Sequence, residues 1–279
     1  MATLRFAKLH GTANDFIYVD AREGLPGDPA TLARRLCDRR RGIGADGLIL
    51  LEHARDADCR MTIYNADGSR PEMCGNGIRG LAKFVYDRGL ATADPLRVET
   101  DAGVKTIHAE RNGSGKVARV TVDMGSPVWN GRDVPVAADG EVIDRPLEVA
   151  GRRWQVTCVS MGNPHCVTFV DDVAGLPLET LGPQFEHHPF FPHRVNTEFI
   201  RVAGPARLEM RVWERGAGET MACGTGACAA AVAAARTGRS GRHAVVDLPG
   251  GALEIDWRDD DRVLMTGNAV EVFDGVVEV

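Results

Sequence analysis

The chain has 279 residues, 44% of them hydrophobic and 26% charged, with a net charge of −6. Such a length and mixture suit a soluble protein of one large domain or two of ordinary size. The negative balance argues against a nucleic-acid partner. No stretch reaches the roughly 18 apolar residues of a membrane helix, and the start carries no secretory signal, so a cytoplasmic protein is expected.

The opening residues, Leu4 to Asp20, read as strand, polar loop and strand, with His10-Gly-Thr-Ala-Asn-Asp15 as the loop. Asp28-Pro29 begins a helix with an acidic N-cap and proline at the first helical position, and Gly42 is expected to stop it. Arg39-Arg40-Arg41 then falls at its C-terminal end, where cations face the negative end of the dipole. Leu48–Glu52 and Met61–Asn65 are strand-like, and a second helix runs from about Gly75 to Arg88 and ends at Gly89. From Leu96 to Thr168 strands and turns dominate, with turns at Asn112-Gly113, Asn130-Gly131 and Asp139-Gly140. A short helix is expected near Leu178–Phe185, strands around Phe199 and over Leu208–Trp213, and a last helix over Gly224–Arg236. That last segment, Gly-Thr-Gly-Ala-Cys-Ala-Ala-Ala-Val-Ala-Ala-Ala-Arg, is small and apolar on every face. A helix of this kind belongs in an interior, wrapped closely by sheet.

Two helix starts match: Met73-Cys-Gly-Asn-Gly77 and Ala222-Cys-Gly-Thr-Gly226, with the cysteines 149 residues apart (223 − 74). The same step carries Asn14 to Asn163, Gly47 to Asn196, Tyr64-Asn65 to Trp213-Glu214 and Gly89 to Gly238. A gap-free correspondence of this length is a repeat of a whole domain. It predicts a site in the cleft between two similar halves.

Seven cysteines, an odd number without a Cys-x-x-Cys pair, read as free thiols rather than as a disulfide framework or a zinc site. Cys37, Cys59, Cys158, Cys166 and Cys228 read as non-catalytic. Cys74 and Cys223 differ, because each begins a helix behind glycines. There the first-turn N–H groups bind anions and lower a thiol's pKa, to roughly 3.5–7.5 in known cases. Two such thiols opposed across a cleft can invert an α-carbon without a cofactor: one removes the proton, the other delivers one, and the helix N-termini hold the carboxylate.

The segments His10–Phe16, Tyr64–Ser69, Met73–Arg79, Met161–Cys166, Arg194–Asn196, Glu214–Thr220, Ala222–Cys228 and Asp247–Gly251 resemble diaminopimelate epimerases, in order along nearly the whole chain. The resemblance implies an α+β fold of two pseudo-symmetric domains, each a barrel-like mixed sheet wrapped round a central helix, with the active site in the interdomain cleft. One half would be residues 1–123 with a return over 269–279, the other 124–268. The implied reaction interconverts LL- and meso-2,6-diaminopimelate, for lysine and peptidoglycan precursors. Cys74 and Cys223 would be acid and base, with His165 and Glu214 beside them. Gly75, Asn76, Gly224 and Thr225 would hold the reacting carboxylate. Asn14, Asn65, Asn163, Asn196, Glu214 and Arg215 would bind the substrate, mainly its distal end, where an arginine fork suits a carboxylate. The resemblance implies no cofactor and no metal, and a small diamino diacid as the partner. It carries a homodimer with it, although Phe273 stands where some members have a tyrosine at the dimer contact. Thr12-Ala13 and Gly47 also depart from the family pattern, and at Gly47 a side-chain contact cannot be made.

Proline or hydroxyproline racemases are the nearest rival, but they take a compact monocarboxylate, which leaves Arg215, Glu214 and the four asparagines unexplained. A cysteine hydrolase using Cys74 with His165 leaves Cys223 unexplained, and a thiol redox sensor is a third reading. Only four lysines exist, none in a recognisable Schiff-base setting for pyridoxal phosphate.

Overall fold

Thr12 and Ala13 both take positive φ, 51° and 62°, which makes a two-residue hairpin between β1 (Thr3–Gly11) and β2 (Asn14–Asp20). This hairpin begins the first of two compact units into which the computed structural model, describing residues 2–279, divides. The first unit extends to Val122 and takes in Thr266–Val279; the second is Asp123–Met265.

In the first unit, α1 (Pro29–Leu36) follows β2, capped by Asp28, whose carboxylate accepts the Thr31 N–H at 2.8 Å. It ends at Leu36, short of Gly42. Asp38 Oδ1 takes the N–H groups of Arg40 and Arg41, and the N–H groups of Ile43 and Gly44 turn back to the Leu36 carbonyl. A side chain that competes for backbone N–H groups diverts the chain out of the helix. The arginine run therefore lies beyond the helix, and Arg39 bridges Asp15 and Asp46 at 2.6 and 2.7 Å instead.

Next come β3 (Gly47–Glu52), β4 (Cys59–Asn65), α2 (Gly75–Asp87), β5 (Leu96–Thr100), β6 (Gly103–Arg111) and β7 (Val117–Asp123). β1 pairs antiparallel with β2, β2 parallel with β3, β3 antiparallel with β4, β4 parallel with β5, and β5 antiparallel with β6. The crossovers of the two parallel pairs contain α1 and α2. α2 is buried along its length as far as Tyr86 and packs on β1 to β4 and β6.

The second unit has β8 (Arg145–Val149), β9 (Arg152–Ser160), β10 (Pro164–Phe169), α3 (Leu178–Glu186), β11 (Asn196–Gly204), β12 (Arg207–Glu214), β13 (Gly218–Thr220), α4 (Gly224–Arg236), β14 (His243–Leu248) and β15 (Gly251–Trp257). Strands β9, β10, β11, β12, β14 and β15 repeat the antiparallel–parallel alternation of β1 to β6. The register repeats too. Phe16 faces Gly47 as His165 faces Asn196, and Leu48 faces Tyr64 as Thr197 faces Trp213, each a step of 149. α4 spans the residues that the same step assigns from α2, and it packs on β9 to β12, β14 and β15. Its alanines are what let strands approach from several sides. Trp154, Phe185 and Phe199 meet edge to face between α3 and the sheet, with centroids 5.4–5.9 Å apart, each pair contributing about 0.5–1.5 kcal/mol beyond its area.

Strands β16 (Val263–Asn268) and β17 (Val270–Glu278) follow. β17 pairs antiparallel with β1, and Ala2 and Val279 exchange backbone hydrogen bonds of 3.1 and 2.9 Å. No helix among the described residues is long and apolar enough to cross a membrane.

Candidate active site

Cys74 is the N-cap of α2, extended at φ −138°, ψ 118°, and its Sγ accepts the Gly77 N–H at 3.4 Å. A cysteine in this role takes one of the N–H groups that a helix cannot satisfy within itself. Asn14, at the start of β2, is beside it: Oδ1 is 3.7 Å from Sγ and accepts the Asn76 side-chain amide at 3.3 Å. Asp46 Oδ2 in turn accepts from Asn14 Nδ2 at 2.7 Å, which fixes the amide's orientation. Beneath them Arg79 is fully buried and donates to the Gly75 carbonyl at 3.1 Å, Asn76 Oδ1 at 2.9 Å and Thr12 Oγ1 at 3.3 Å. This half-site thus holds a buried positive charge on the helix that begins with the thiol.

Cys223 caps α4 in the same way, accepting the Gly226 N–H at 3.4 Å, with Thr225 Oγ1 at 3.6 Å. Its surroundings are of opposite sign. His165 on β10 is fully buried, its Nδ1 2.7 Å from Glu198 Oε1 and its Nε2 2.8 Å from Asn163 Oδ1. Burial pushes the Cys223 thiol well above its ordinary value, and Glu214 and Glu198 push the same way, against the Thr225 hydroxyl and the Gly226 N–H. The sequence expectation that a helix N-terminus lowers this pKa therefore fails for Cys223. Two dipolar donors do not offset the loss of water and two carboxyl groups.

Asn196 begins β11, takes the Arg215 backbone N–H on Oδ1 at 2.9 Å and gives Nδ2 to the Pro164 carbonyl at 3.0 Å. Its amide ties β10 to the Glu214-Arg215 turn. Glu214 accepts from the Thr220 hydroxyl. The Arg215 side chain is exposed, with one guanidinium bond of 3.3 Å to the His193 carbonyl. Asn65, at the end of β4, donates to Ser69 Oγ at 2.9 Å and faces Gly47 across the strand pair. A Cβ at Gly47 would lie 2.6 Å from the Tyr64 carbonyl, so the close β3–β4 approach here requires glycine. In the first unit the structure gathers Cys74, Gly75, Asn76 and Asn14. In the second it gathers Cys223, Thr225, Asn163, His165 and Glu214, with Asn196 and Arg215 joined beside them. Sequence reasoning missed Arg79 and Glu198. Arg79 lies within the Met73–Arg79 motif, which is a signal, whereas Glu198 has none. Among the described residues no group of three or more His, Cys, Asp or Glu could hold a metal ion, and none of the seven cysteines forms a disulfide.

The fold resembles a hydroxyproline epimerase from Agrobacterium vitis (TM-score 0.71, 15% identity, covering 99% of this chain and 92% of that one). It also resembles a phenazine biosynthesis protein of the PhzF family from Bacillus anthracis (TM-score 0.72, 16% identity, all of both chains). At such identities the likeness concerns fold alone. Sequence relatives reach further. The chain is 58% identical over 275 residues to a diaminopimelate epimerase of Moorella thermoacetica, covering 98% of each. It is 55% identical over 280 residues to diaminopimelate epimerase 1 of a Nostoc species, covering 98% and 99%. The family model described as diaminopimelate epimerase matches residues 6–130 and 157–272, a span that takes in both cysteine caps, and the chain belongs to the diaminopimelate epimerase family.

Proposed function

We propose that this enzyme inverts one α-carbon of 2,6-diaminopimelate between the LL and meso forms with one thiol from each unit, Cys74 and Cys223, and without a cofactor. The observation that carries this reading is the equivalence of the two cysteines: each caps its unit's buried helix, 149 residues apart, with a glycine N–H 3.4 Å from sulfur. In each turnover a thiolate on one face takes the α-proton. The electron pair left behind spreads into the α-carboxylate, which the first-turn N–H groups at Gly75, Asn76, Gly224 and Thr225 stabilise. The thiol on the other face then gives its proton to carbon, so the two sulfurs end with their protonation exchanged. Proton exchange with water restores them.

Burial and the carboxyl groups of Glu214 and Glu198 favour the protonated form of Cys223, so that thiol suits the proton-donating role in a cycle entered from the Cys74 side. Exposed Arg215 takes the distal carboxylate, and Glu214, Asn14, Asn65, Asn163 and Asn196 complete the recognition of a long substrate with charges at both ends. The protein acts in the cytoplasm, and the apolar Val272, Phe273 and Val276 that β17 leaves exposed favour a homodimer.

The test is incubation of purified protein with LL-diaminopimelate in heavy water, followed by resolution of stereoisomers. The meso product should carry deuterium at the inverted carbon, and hydroxyproline should not exchange. Inversion of hydroxyproline but not of diaminopimelate would overturn the assignment.

A further inference from the structure

Glu198 is as fully buried as His165, and its Oε2 has no hydrogen-bond partner among the described residues. A Cβ on Gly226 would lie 2.7 Å from Glu198 Oε1 and 3.2 Å from Cys223 Sγ, so carboxyl and thiol line the same space over the first turn of α4. One repeat step earlier, His165 becomes Phe16 and Glu198 becomes Ile49. Ile49 Cδ1 fills the corresponding space, 2.6 Å from where a Cβ on Gly77 would be. The same frame therefore presents hydrocarbon beside Cys74 and a carboxyl–imidazole pair beside Cys223.

His165 lies between two oxygens, Glu198 Oε1 on Nδ1 and Asn163 Oδ1 on Nε2. Nε2–H donates to the amide oxygen, and one further proton lies between Nδ1 and Oε1. Losing that proton would leave a bare buried carboxylate, and gaining another would leave a buried imidazolium without its counter-charge; both are costly without water. The pair is stable as a unit that holds one proton.

We propose that Glu198 is a positioning residue of the Cys223 half-site: through His165 it fixes the Asn163 amide, and with His165 it stores one proton beside the thiol, making the two half-sites electrically unequal. This rests on the reading of Cys223 and Asn163 as groups that handle substrate. The titratable groups that act on Cys223 are Glu214 on β12 and Glu198 on β11, His165 on β10 lies against Glu198, and Thr225 and Gly226 contribute the dipoles from α4.

The test combines Glu198→Gln, His165→Asn and the double variant with nitrogen-15 spectra of histidine-labelled protein, His165 being assigned by its loss in His165→Asn. In the wild type the His165 nitrogen signals should report a ring hydrogen-bonded on both sides, at Nδ1 to Glu198 and at Nε2 to Asn163. In Glu198→Gln the Nδ1 signal should move, because its carboxyl partner is lost. The kcat/KM of that variant should fall roughly 10-fold, typical of coupled neighbours in one network. The double variant should lose no more than His165→Asn alone. A His165 Nδ1 signal that Glu198→Gln leaves unchanged overturns the proposal, as does wild-type kinetics in Glu198→Gln or multiplied losses in the double variant. If the wild type fails to epimerise diaminopimelate, the proposed activity falls, and the His165 spectrum alone still decides whether Glu198 holds the ring.

Discussion

Burial and two carboxyl groups push the Cys223 thiol upward, whereas Cys74 shares its helix with a buried guanidinium. In the proposed scheme a full inversion needs both, so Cys74→Ala and Cys223→Ala should each lower kcat by ~10²–10⁴, the usual span of general acid–base catalysis. Chiral chromatography in both directions measures this; a single variant that epimerises at near the wild-type rate contradicts the scheme. The double variant should be little worse than either single one, since groups acting as a unit are not additive. Arg215→Ala should lose a charge-assisted carboxylate contact of about 1.5–3 kcal/mol, read as a fall in kcat/KM. Wild-type kinetics in that variant would mean that Arg215 does not touch the substrate. The two cysteine caps were legible in the sequence because each lies in a motif and in a repeat, whereas Arg215 has only its motif and its contact with substrate is what that variant tests. Glu198 was not legible. Within Asn196-Thr-Glu-Phe-Ile200 it reads as an ordinary polar strand position, and only the fold shows that both faces of β11 are buried there.

The helices depend on close contacts at particular glycines. A Cβ on Gly182 of α3 would run into the Trp213 ring, whose Nε1 donates to Glu186 Oε2 at 2.8 Å and which directly precedes Glu214. Gly182→Ala should therefore cost about 1–3 kcal/mol in urea unfolding, as overpacked cores do, with activity falling as Glu214 is displaced. Gly113→Ala, in an open turn with nothing near its Cβ, should change stability by less than about 0.5 kcal/mol. Equal effects of the two would remove the packing argument. At this scale the sequence marks α2 and α4 almost to the residue, since caps and glycine stops bound both ends. It did not give away where α1 ends, because the Asp38 side chain acts on its own backbone and leaves no periodic trace. Nor did it show β8, which lies outside the repeated strands in a turn-rich stretch.

For the molecule as a whole, buried thiols set the alkaline limit. Burial pushes Cys37 and Cys59 up to about 12 from 9.0. The folded chain keeps protons that the unfolded chain releases. Their contribution is complete below about pH 9 and disappears as the pH rises towards 12. Asp15 sets the opposite limit. Burial would raise it, but Arg39 and Lys8 outweigh burial and hold it at about 2 instead of 3.8, so its contribution is present above about pH 3.8 and lost as the pH falls towards 2. Melting under reductant should accordingly decline at both ends, and Cys37→Ala should flatten the alkaline slope. An unchanged slope would remove Cys37 from the account. The two-fold plan was legible at this scale because no insertion breaks the 149-residue step from β1 to β6. The return of β17 to β1 lies outside that repeat and was expected only from the family resemblance, since it joins residues 260 or more positions apart. That pairing bears on synthesis. A ribosome releases the second unit as one continuous stretch, with all its repeated strands together, while β1 still waits for β17. The unit begun first is thus the last to be completed, and until β17 emerges its open edge is the part of the nascent chain most exposed to pairing with a neighbour.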